Sequence, residues 1–85
     1  MKTPEQEVAL KLKEALNHSN SFPRRIENGP TSLTHLDYMC QKIIFKDVTG
    51  YKAHRWIGYI QGVLLCKTKE YTLEDMKEMN KSGGL

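Results

Sequence analysis

The amino-acid sequence predicts an all-α fold, a small helical bundle of about four helices with a central antiparallel hairpin. Apolar residues recur at spacings of three and four through most of the chain, which is the periodicity of amphipathic helices. No segment alternates between apolar and polar residues for long, as a half-buried strand would. Because 85 residues leave room for one hydrophobic core, we expect residues 1–85 to form a single helical domain.

The composition of the chain favours a small intracellular protein over a secreted or membrane-inserted one. Two cysteines are too few for the disulfide framework of a secreted domain of this size, so we expect a reduced, cytoplasmic protein. The first residues lack the apolar core of a signal peptide, and no apolar run is long enough to span a bilayer. The net charge of +3 permits an anionic partner without requiring one. A hydrophobic content of 39% in so short a chain favours association, and we expect a homo-oligomer.

The first helix is predicted over residues 4–17. Thr3 is a good N-cap, and Pro4 suits the first helical position because its missing N–H would have no partner there. Polar residues that compete for backbone hydrogen bonds end the helix. Residues 18–31 follow as the longest irregular segment, with two prolines that block a helix. The apolar residues in this segment predict an ordered loop that packs against the domain, and such loops are often functional.

The remaining three helices are predicted over residues 32–46, 51–67 and 72–80. Residues with side-chain hydroxyls supply the cap of the second helix. A short turn then joins the second helix to the third, which predicts that these two helices form an antiparallel hairpin. Thr72 and Asp75 resemble a capping box at the start of the fourth helix.

The third helix carries two glycines four residues apart, on the side opposite its large apolar residues. Each glycine lowers helix stability by about 0.8–1 kcal/mol relative to alanine, so two of them in one helix indicate a steric reason. One interpretation is that they let the first helix pack closely within the domain, and the other is that they seat a helix of a second molecule. Trp56, on the apolar side, is interpreted as a core anchor. The candidate residues for partner binding or self-association are Gly58, Gly62, Arg55 and Tyr59.

A basic rim is predicted at the turn between the second and third helices. In an antiparallel hairpin, lysines near the end of the second helix come close to basic residues at the start of the third. Tyrosines there can stack on bases, as in proteins that bind single strands. The alternative is a solvated surface on which the C-terminal lysines complement the helix dipole. The candidate residues for nucleic-acid or nucleotide binding are Arg24, Arg25, Lys42, Lys46, Lys52, Arg55 and Tyr51.

No motif in the sequence indicates a metal site, a cofactor or catalysis. Three histidines and two cysteines occur, but none of them forms the closely spaced ligand pair with which tetrahedral zinc sites usually begin. A strand-turn-helix elbow for a catalytic nucleophile is also missing. The sequence leaves a cysteine–histidine pair such as Cys66 and His35 open as a catalytic alternative. We expect a non-enzymatic binding protein without catalytic residues, metal ligands or cofactors.

Two segments near the end of the chain form a distinctive pattern, HRWIGYIQGVL at residues 54–64 and YTLEDM at residues 71–76, followed by Asn80. They resemble the C-terminal ends of small accessory proteins encoded by tailed bacteriophages, and the resemblance covers about residues 52–80. It implies a host-takeover or anti-defence protein, made early in infection, that acts in the host cytoplasm by binding a host factor. A toxin or another defence component would be a typical target. The resemblance carries over no catalytic residue.

Two hypotheses of function follow from these observations. The first is an inhibitor or adaptor that sequesters a host protein. The second is a small RNA- or nucleotide-binding protein that uses the basic rim. Ionic strength distinguishes them, because phosphate contacts weaken steeply with added salt whereas an apolar protein interface changes little.

Overall fold

The structure, a computed structural model, describes residues 2–19 and 32–85. Its helices are α1 (Pro4–His18), α2 (Leu33–Ile44), α3 (Gly50–Lys67) and α4 (Leu73–Ser82). They confirm the predicted all-α fold of four helices, and each helix end lies within two residues of its predicted position. Residues 20–31, which hold most of the predicted ordered loop, lie outside the described residues.

Side-chain caps start three of the four helices. Thr3 Oγ1 accepts the N–H of Gln6 at 3.3 Å, and Gln6 Oε1 accepts the N–H of Thr3 at 2.8 Å, which makes a capping box for α1. Ser32 Oγ accepts a backbone N–H at 3.1 Å at the start of α2. Thr72 and Asp75 form the capping box that the sequence predicted for α4. These bonds satisfy backbone N–H groups that have no partner inside their helix.

α1 is the helix on which the bundle is assembled, because it packs against all three others and most extensively against α2. Val8, Leu12 and Leu16 are fully buried along it at spacings of four. α2 and α3 also contact each other, as the predicted hairpin requires, but less extensively. The buried apolar residues that complete the described core are Ala9 and Ala15 of α1, Leu36, Met39, Cys40 and Ile43 of α2, Val48 in the turn, Ala53, Ile57, Ile60 and Leu64 of α3, and Met76 of α4.

Gln6 connects α1 to the end of α2 and is almost fully buried. Its Nε2 donates to the backbone carbonyl of Ile44 at 2.6 Å, while its Oε1 is held in the cap of α1. The carbonyl groups in the last turn of a helix have no partner within that helix, so Gln6 satisfies one that would otherwise need water. Both polar atoms of this buried side chain are therefore used.

α2 ends in a Schellman motif at the turn that leads to α3. The N–H of Lys46 donates to the carbonyl of Ile43 at 3.1 Å, and the N–H of Asp47 donates to the carbonyl of Lys42 at 2.9 Å. Lys46 takes a left-handed backbone conformation, with φ of 63°, at the position where glycine is the usual residue. Gly50, which begins α3, has φ of 62°. The connection between α2 and α3 therefore uses two left-handed positions.

α4 is held to the bundle by few contacts. Met76 is its one buried residue, and the Oδ1 of Asn80 accepts a hydrogen bond from Nε2 of Gln61 on α3 at 2.7 Å. Just after the helix, Gly83 approaches α1 so closely that an added Cβ would lie 2.6 Å from Cγ2 of Val8. A residue without a Cβ is therefore needed where the end of α4 meets α1.

Candidate functional site

The side of α3 that carries Gly58 and Gly62 is exposed. A Cβ added to either glycine would have no described heavy atom within 4 Å outside its own helix turn. The interpretation that these glycines let α1 pack closely is therefore wrong, and α3 instead buries Ala53, Ile57 and Ile60 against the core. The glycines leave a stretch of helix surface without large side chains.

Two adjoining depressions form an open groove along this side of α3. The first has a volume of about 470 Å³ and is lined by His35, Met39, Arg55, Trp56 and Tyr59. The second has a volume of about 340 Å³ and is lined by Tyr59, Gly62, Val63, Cys66 and Lys67. The two depressions adjoin at Tyr59, which lines both, and we call them together the α3 groove.

Three of the four residues predicted for partner binding line the α3 groove, namely Arg55, Tyr59 and Gly62. The fourth, Gly58, lies exposed on the same helix. His35 and Met39 of α2 form the other wall of the first depression, and the sequence did not indicate them. Their contribution depends on how α2 packs against α3, which no local pattern shows.

Trp56 also lines the α3 groove, although the sequence pattern placed it in the core. It is partly buried and packs against core residues, and Nζ of Lys52 lies 5.3 Å from the centroid of its ring. A cation at this distance is attracted by the quadrupole of an indole ring. Trp56 therefore contacts the core and still offers a surface to the groove, and tryptophan is among the residue types most often found as anchors at binding surfaces.

The α3 groove is apolar along most of its length and cationic toward its ends. α3 contains no aspartate or glutamate, whereas it carries the basic residues Lys52, His54, Arg55 and Lys67. Arg55 and Lys67 are 12 positions apart. On a helix this separation corresponds to about 18 Å. His54 is directed toward α1, where its Nε2 lies 2.8 Å from Oε1 of Glu5. Among the described residues, the charged side chains that line the groove are therefore basic.

The predicted basic rim is divided in the structure. Lys42 and Lys46 lie at the end of α2, and Tyr51 is 90% exposed at the start of α3. Lys52 instead extends over an indole ring that lines the α3 groove, and Arg55 lines the groove directly. The rim was also predicted to include Arg24 and Arg25, which lie outside the described part of the chain.

Two exposed aromatic residues beside this turn were not identified from the sequence. Tyr38 is 51% exposed and Phe45 is 72% exposed. With Gln41, Lys42 and Asp47 they line a depression of about 240 Å³. The Nζ of Lys42 lies 5.4 Å from the centroid of the Tyr38 ring and 3.6 Å from Oδ2 of Asp47. The position of both aromatic residues outside the apolar stripe of α2 is the signal that could have found them.

The two cysteines differ in burial and therefore in chemistry. Cys40 is fully buried, and burial raises the pKa of its thiol to about 12. Such a thiol stays protonated at neutral pH and is a poor nucleophile. Cys66 is exposed and lines the α3 groove. His35 and Cys66, the pair left open by the sequence, line different depressions of that groove.

The chain matches no protein-family model, no curated protein and no solved structure. Within residues 2–19 and 32–85, no three histidine, cysteine, aspartate or glutamate side chains come together as metal ligands would. None of the four described helices has both the length and the apolar character needed to cross a membrane. The surfaces of the chain itself are therefore the evidence for its function.

Proposed function

We propose that the chain is a binding protein that holds an acidic, amphipathic helix of a partner protein in the α3 groove. The observation that carries this proposal is the open groove itself, apolar along most of its length, cationic toward its ends and adjacent to two exposed glycines. A groove of this kind suits the mode of recognition in which an amphipathic helix lays its apolar face into a hydrophobic groove.

Gly62 favours a helix as the bound element. Because Gly62 lines the groove without a side chain, the backbone of a partner helix can approach α3 closely there, and Gly58 leaves the helix surface beside the groove equally open. The apolar side chains of the bound helix would then contact Trp56 in the first depression and Val63 in the second. Burial of such residues from water would supply most of the affinity.

The charges of α3 favour an acidic partner over a second copy of the same chain. Two α3 helices in contact would bring Arg55 and Lys67 near like charges, since α3 itself contains no carboxylate. A partner helix with carboxylates about three turns apart would pair with both cations. The homo-oligomer expected from the composition is therefore disfavoured at this surface, and a different protein is the occupant that we propose.

The resemblance to phage accessory proteins supports a host protein as this partner. In this proposal the chain acts in the host cytoplasm as an inhibitor or adaptor. It would sequester a toxin or another defence component by covering a helix that the component needs for its own action. No catalytic step is part of this function.

Capture of proteins from a bacterial lysate tests the proposal with two groove variants and one matched control. Gly62→Leu fills the groove at a position with open space, and Arg55→Glu reverses a charge at one end. Lys77→Glu makes the same charge change on the exposed surface of α4. We expect the unaltered chain and Lys77→Glu to capture one protein that neither groove variant captures. All three variants should remain helical by circular dichroism.

Nuclease treatment of the lysate and sedimentation of the purified chain complete this test. Capture that survives both groove changes, or that nuclease abolishes, would contradict the proposal. A stable dimer that dissociates in Gly62→Leu would assign the groove to a second copy of the chain instead of a partner protein.

A further inference from the structure

We infer that the outer face of α2 is a binding site for single-stranded nucleic acid, separate from the α3 groove. Three residues of α2 and the residue that caps its C-terminus, which we call together the α2 stripe, follow the spacings i, i+3, i+4 and i+7 and therefore share one face. They are Tyr38, Gln41, Lys42 and Phe45, and all four line the depression of about 240 Å³. This site is independent of the partner protein proposed for the groove.

The aromatic rings of the α2 stripe are exposed where rings of a core would be buried. Tyr38 and Phe45 each expose half or more of their surface, and Tyr51, beyond the turn, is almost fully exposed. Clusters of exposed apolar surface on a soluble domain mark sites of interaction. Every base presents a π face, so exposed aromatic rings can stack on successive bases of a single strand whatever its sequence.

Lysines lie between and beside these rings. Nζ of Lys42 lies over one face of the Tyr38 ring, from which a stacking base would displace it toward a phosphate, and Lys46 lies exposed in the turn that follows Phe45. Bases stacked on the rings would place their phosphates next to these ammonium groups, which is the arrangement by which single-strand binders follow a backbone. A protein helix of the kind proposed for the α3 groove needs a mainly apolar surface, whereas polar and apolar groups line this depression about equally. This mixed lining, with rings and cations in alternation, favours nucleic acid as the ligand.

Asp47 is the one carboxylate among the described residues that line this depression. It lies 3.6 Å from Nζ of Lys42, and both side chains are more than one-third exposed. Exposed ion pairs of this kind contribute little stability, so a phosphate can take the place of the carboxylate beside Lys42. Asp47 thus competes with the ligand, and removal of its charge should strengthen binding.

Fluorescence anisotropy with labelled oligonucleotides tests this site. The probes are a short oligouridine, an oligodeoxyuridine of the same length, which differs from it only in lacking the 2′-hydroxyls, and a duplex of that length. We expect both single strands to bind, with an affinity that falls steeply as salt is added, and the duplex to bind about tenfold more weakly. A preference for oligouridine would show a contact with the 2′-hydroxyl, and equal affinities would show recognition through base and phosphate alone.

Substitutions in the α2 stripe should each have a distinct effect. Phe45→Ala and Tyr38→Ala should weaken binding about fivefold or more, because each removes a stacking surface. Lys42→Gln should reduce the slope of log affinity against log salt concentration by about one. Asp47→Asn should strengthen binding, a result that a merely structural role for this residue would not produce.

Two control variants make failure of this site distinguishable from failure of the α3 groove. Gly62→Leu in the groove and Lys77→Gln on α4 should leave oligonucleotide affinity unchanged. The inference would be overturned if neither single strand bound at low salt. It would also be overturned if the unaltered chain and Phe45→Ala bound with equal affinity. Capture of a protein that is lost in Phe45→Ala and insensitive to nuclease would assign the stripe to a protein partner and would also overturn it.

Discussion

Single glycines have opposite effects in this domain because their surroundings differ. Gly58 and Gly62 lie on open helix surface, whereas Gly83 is in close contact with Val8. A glycine inside a helix lowers stability because its backbone gains more freedom than any other residue when the chain unfolds. A glycine at a close approach raises stability, because a Cβ would force well-packed atoms apart.

Alanine substitutions at these positions should therefore change stability in opposite directions. Gly58→Ala and Gly62→Ala should each raise the free energy of unfolding by about 0.5–1 kcal/mol. Gly83→Ala should lower it by about 1–3 kcal/mol, since a stiff valine side chain has to move. Denaturant unfolding followed by circular dichroism measures all three variants. Changes of the same sign at all three positions would contradict the structure.

The two thiols should react with modifying reagents at very different rates. Cys66 is exposed, whereas Cys40 is fully buried and burial raises its pKa to about 12, which leaves almost no thiolate at neutral pH. We expect one thiol to react rapidly in the native protein and the other only after addition of denaturant. The rapid phase should disappear in Cys66→Ser. Equal rates for both thiols in the native protein would rule out this arrangement.

At the scale of whole helices, polar contacts fix how α1 meets its neighbours. Glu5 contacts His54 of α3 through a pair 2.8 Å apart. Toward α2, Nζ of Lys13 lies 2.7 Å from Oδ1 of Asp37, and Gln6 donates to the backbone carbonyl at the C-terminal end of α2. Apolar contacts are non-directional and tolerate small shifts, whereas these pairs require particular atoms to meet. They therefore fix the register of α1 against two helices.

The pair formed by Glu5 should make stability depend on pH in the acid range. Its backbone N–H at the start of α1, and then the ring of His54, hold the pKa of Glu5 below its ordinary value of 4.5. A carboxyl group whose pKa is lowered by folding stabilises the folded state above its unfolded pKa. This contribution is lost as pH falls through the folded pKa. Glu5→Gln should therefore be less stable than the unaltered chain at neutral pH, and the difference should shrink in acid.

Unfolding free energies of both chains measured from neutral to strongly acidic pH check this prediction. Glu14→Gln, an exposed change on the same helix, is the matched control and should show little difference at any pH. A deficit in Glu5→Gln that is constant over the whole range would show that the charge of Glu5 is not responsible.

Helix boundaries could be predicted from the sequence because their signals are local. Thr3 and Thr72 each cap a helix through a residue three positions away, and both capping boxes are present in the structure. Gln6 shows the limit of this reasoning. Its place in the cap of α1 is a local property, but its bond to the carbonyl of Ile44 joins positions 38 residues apart. No pattern within a single helix indicates such a contact.

Only part of the candidate site could be predicted from the sequence, because the rest depends on contacts between helices. Apolar periodicity placed Ile57 in the core correctly, but it could not show whether the opposite side of the helix has a neighbour. One interpretation of Gly58 and Gly62 was therefore wrong. The contribution of Met39 to the α3 groove and the exposure of Phe45 likewise depend on the packing of α2, which only the assembled bundle defines.

At the scale of the molecule, stability depends on a small core assembled on α1. Leu12 is fully buried in that core, whereas Leu73 on α4 is 59% exposed. A domain of this size has a total stability of about 4–13 kcal/mol. Leu12→Ala should remove about 2–5 kcal/mol of it and lower the melting temperature strongly. Leu73→Ala, the matched control, should change stability by about 0.5 kcal/mol or less. Thermal unfolding followed by circular dichroism compares them, and equal melting temperatures would contradict the placement of Leu12.

The two proposed binding surfaces meet at one residue. His35 lines the α3 groove, and its ring also stacks on that of Tyr38 in the α2 stripe, with the centroids 6.3 Å apart. A partner protein and a single strand would therefore lie side by side on the molecule. Ionic strength would distinguish the two ligands, because the α2 stripe is proposed to contact phosphates whereas the α3 groove is mainly apolar.

At the turn after α2, the left-handed backbone of Lys46 lowers the stability of the domain, whereas its charge would favour the proposed ligand. A lysine in this conformation costs about 1 kcal/mol relative to glycine, so Lys46→Gly should raise the free energy of unfolding by about that amount. The same change removes a cation beside the α2 stripe and should reduce the salt dependence of oligonucleotide binding by about one. Denaturant unfolding and anisotropy measure both effects, and a less stable Lys46→Gly would refute the first. Selection of variants for heat resistance alone would thus be expected to favour glycine here and to erode the ligand site in doing so.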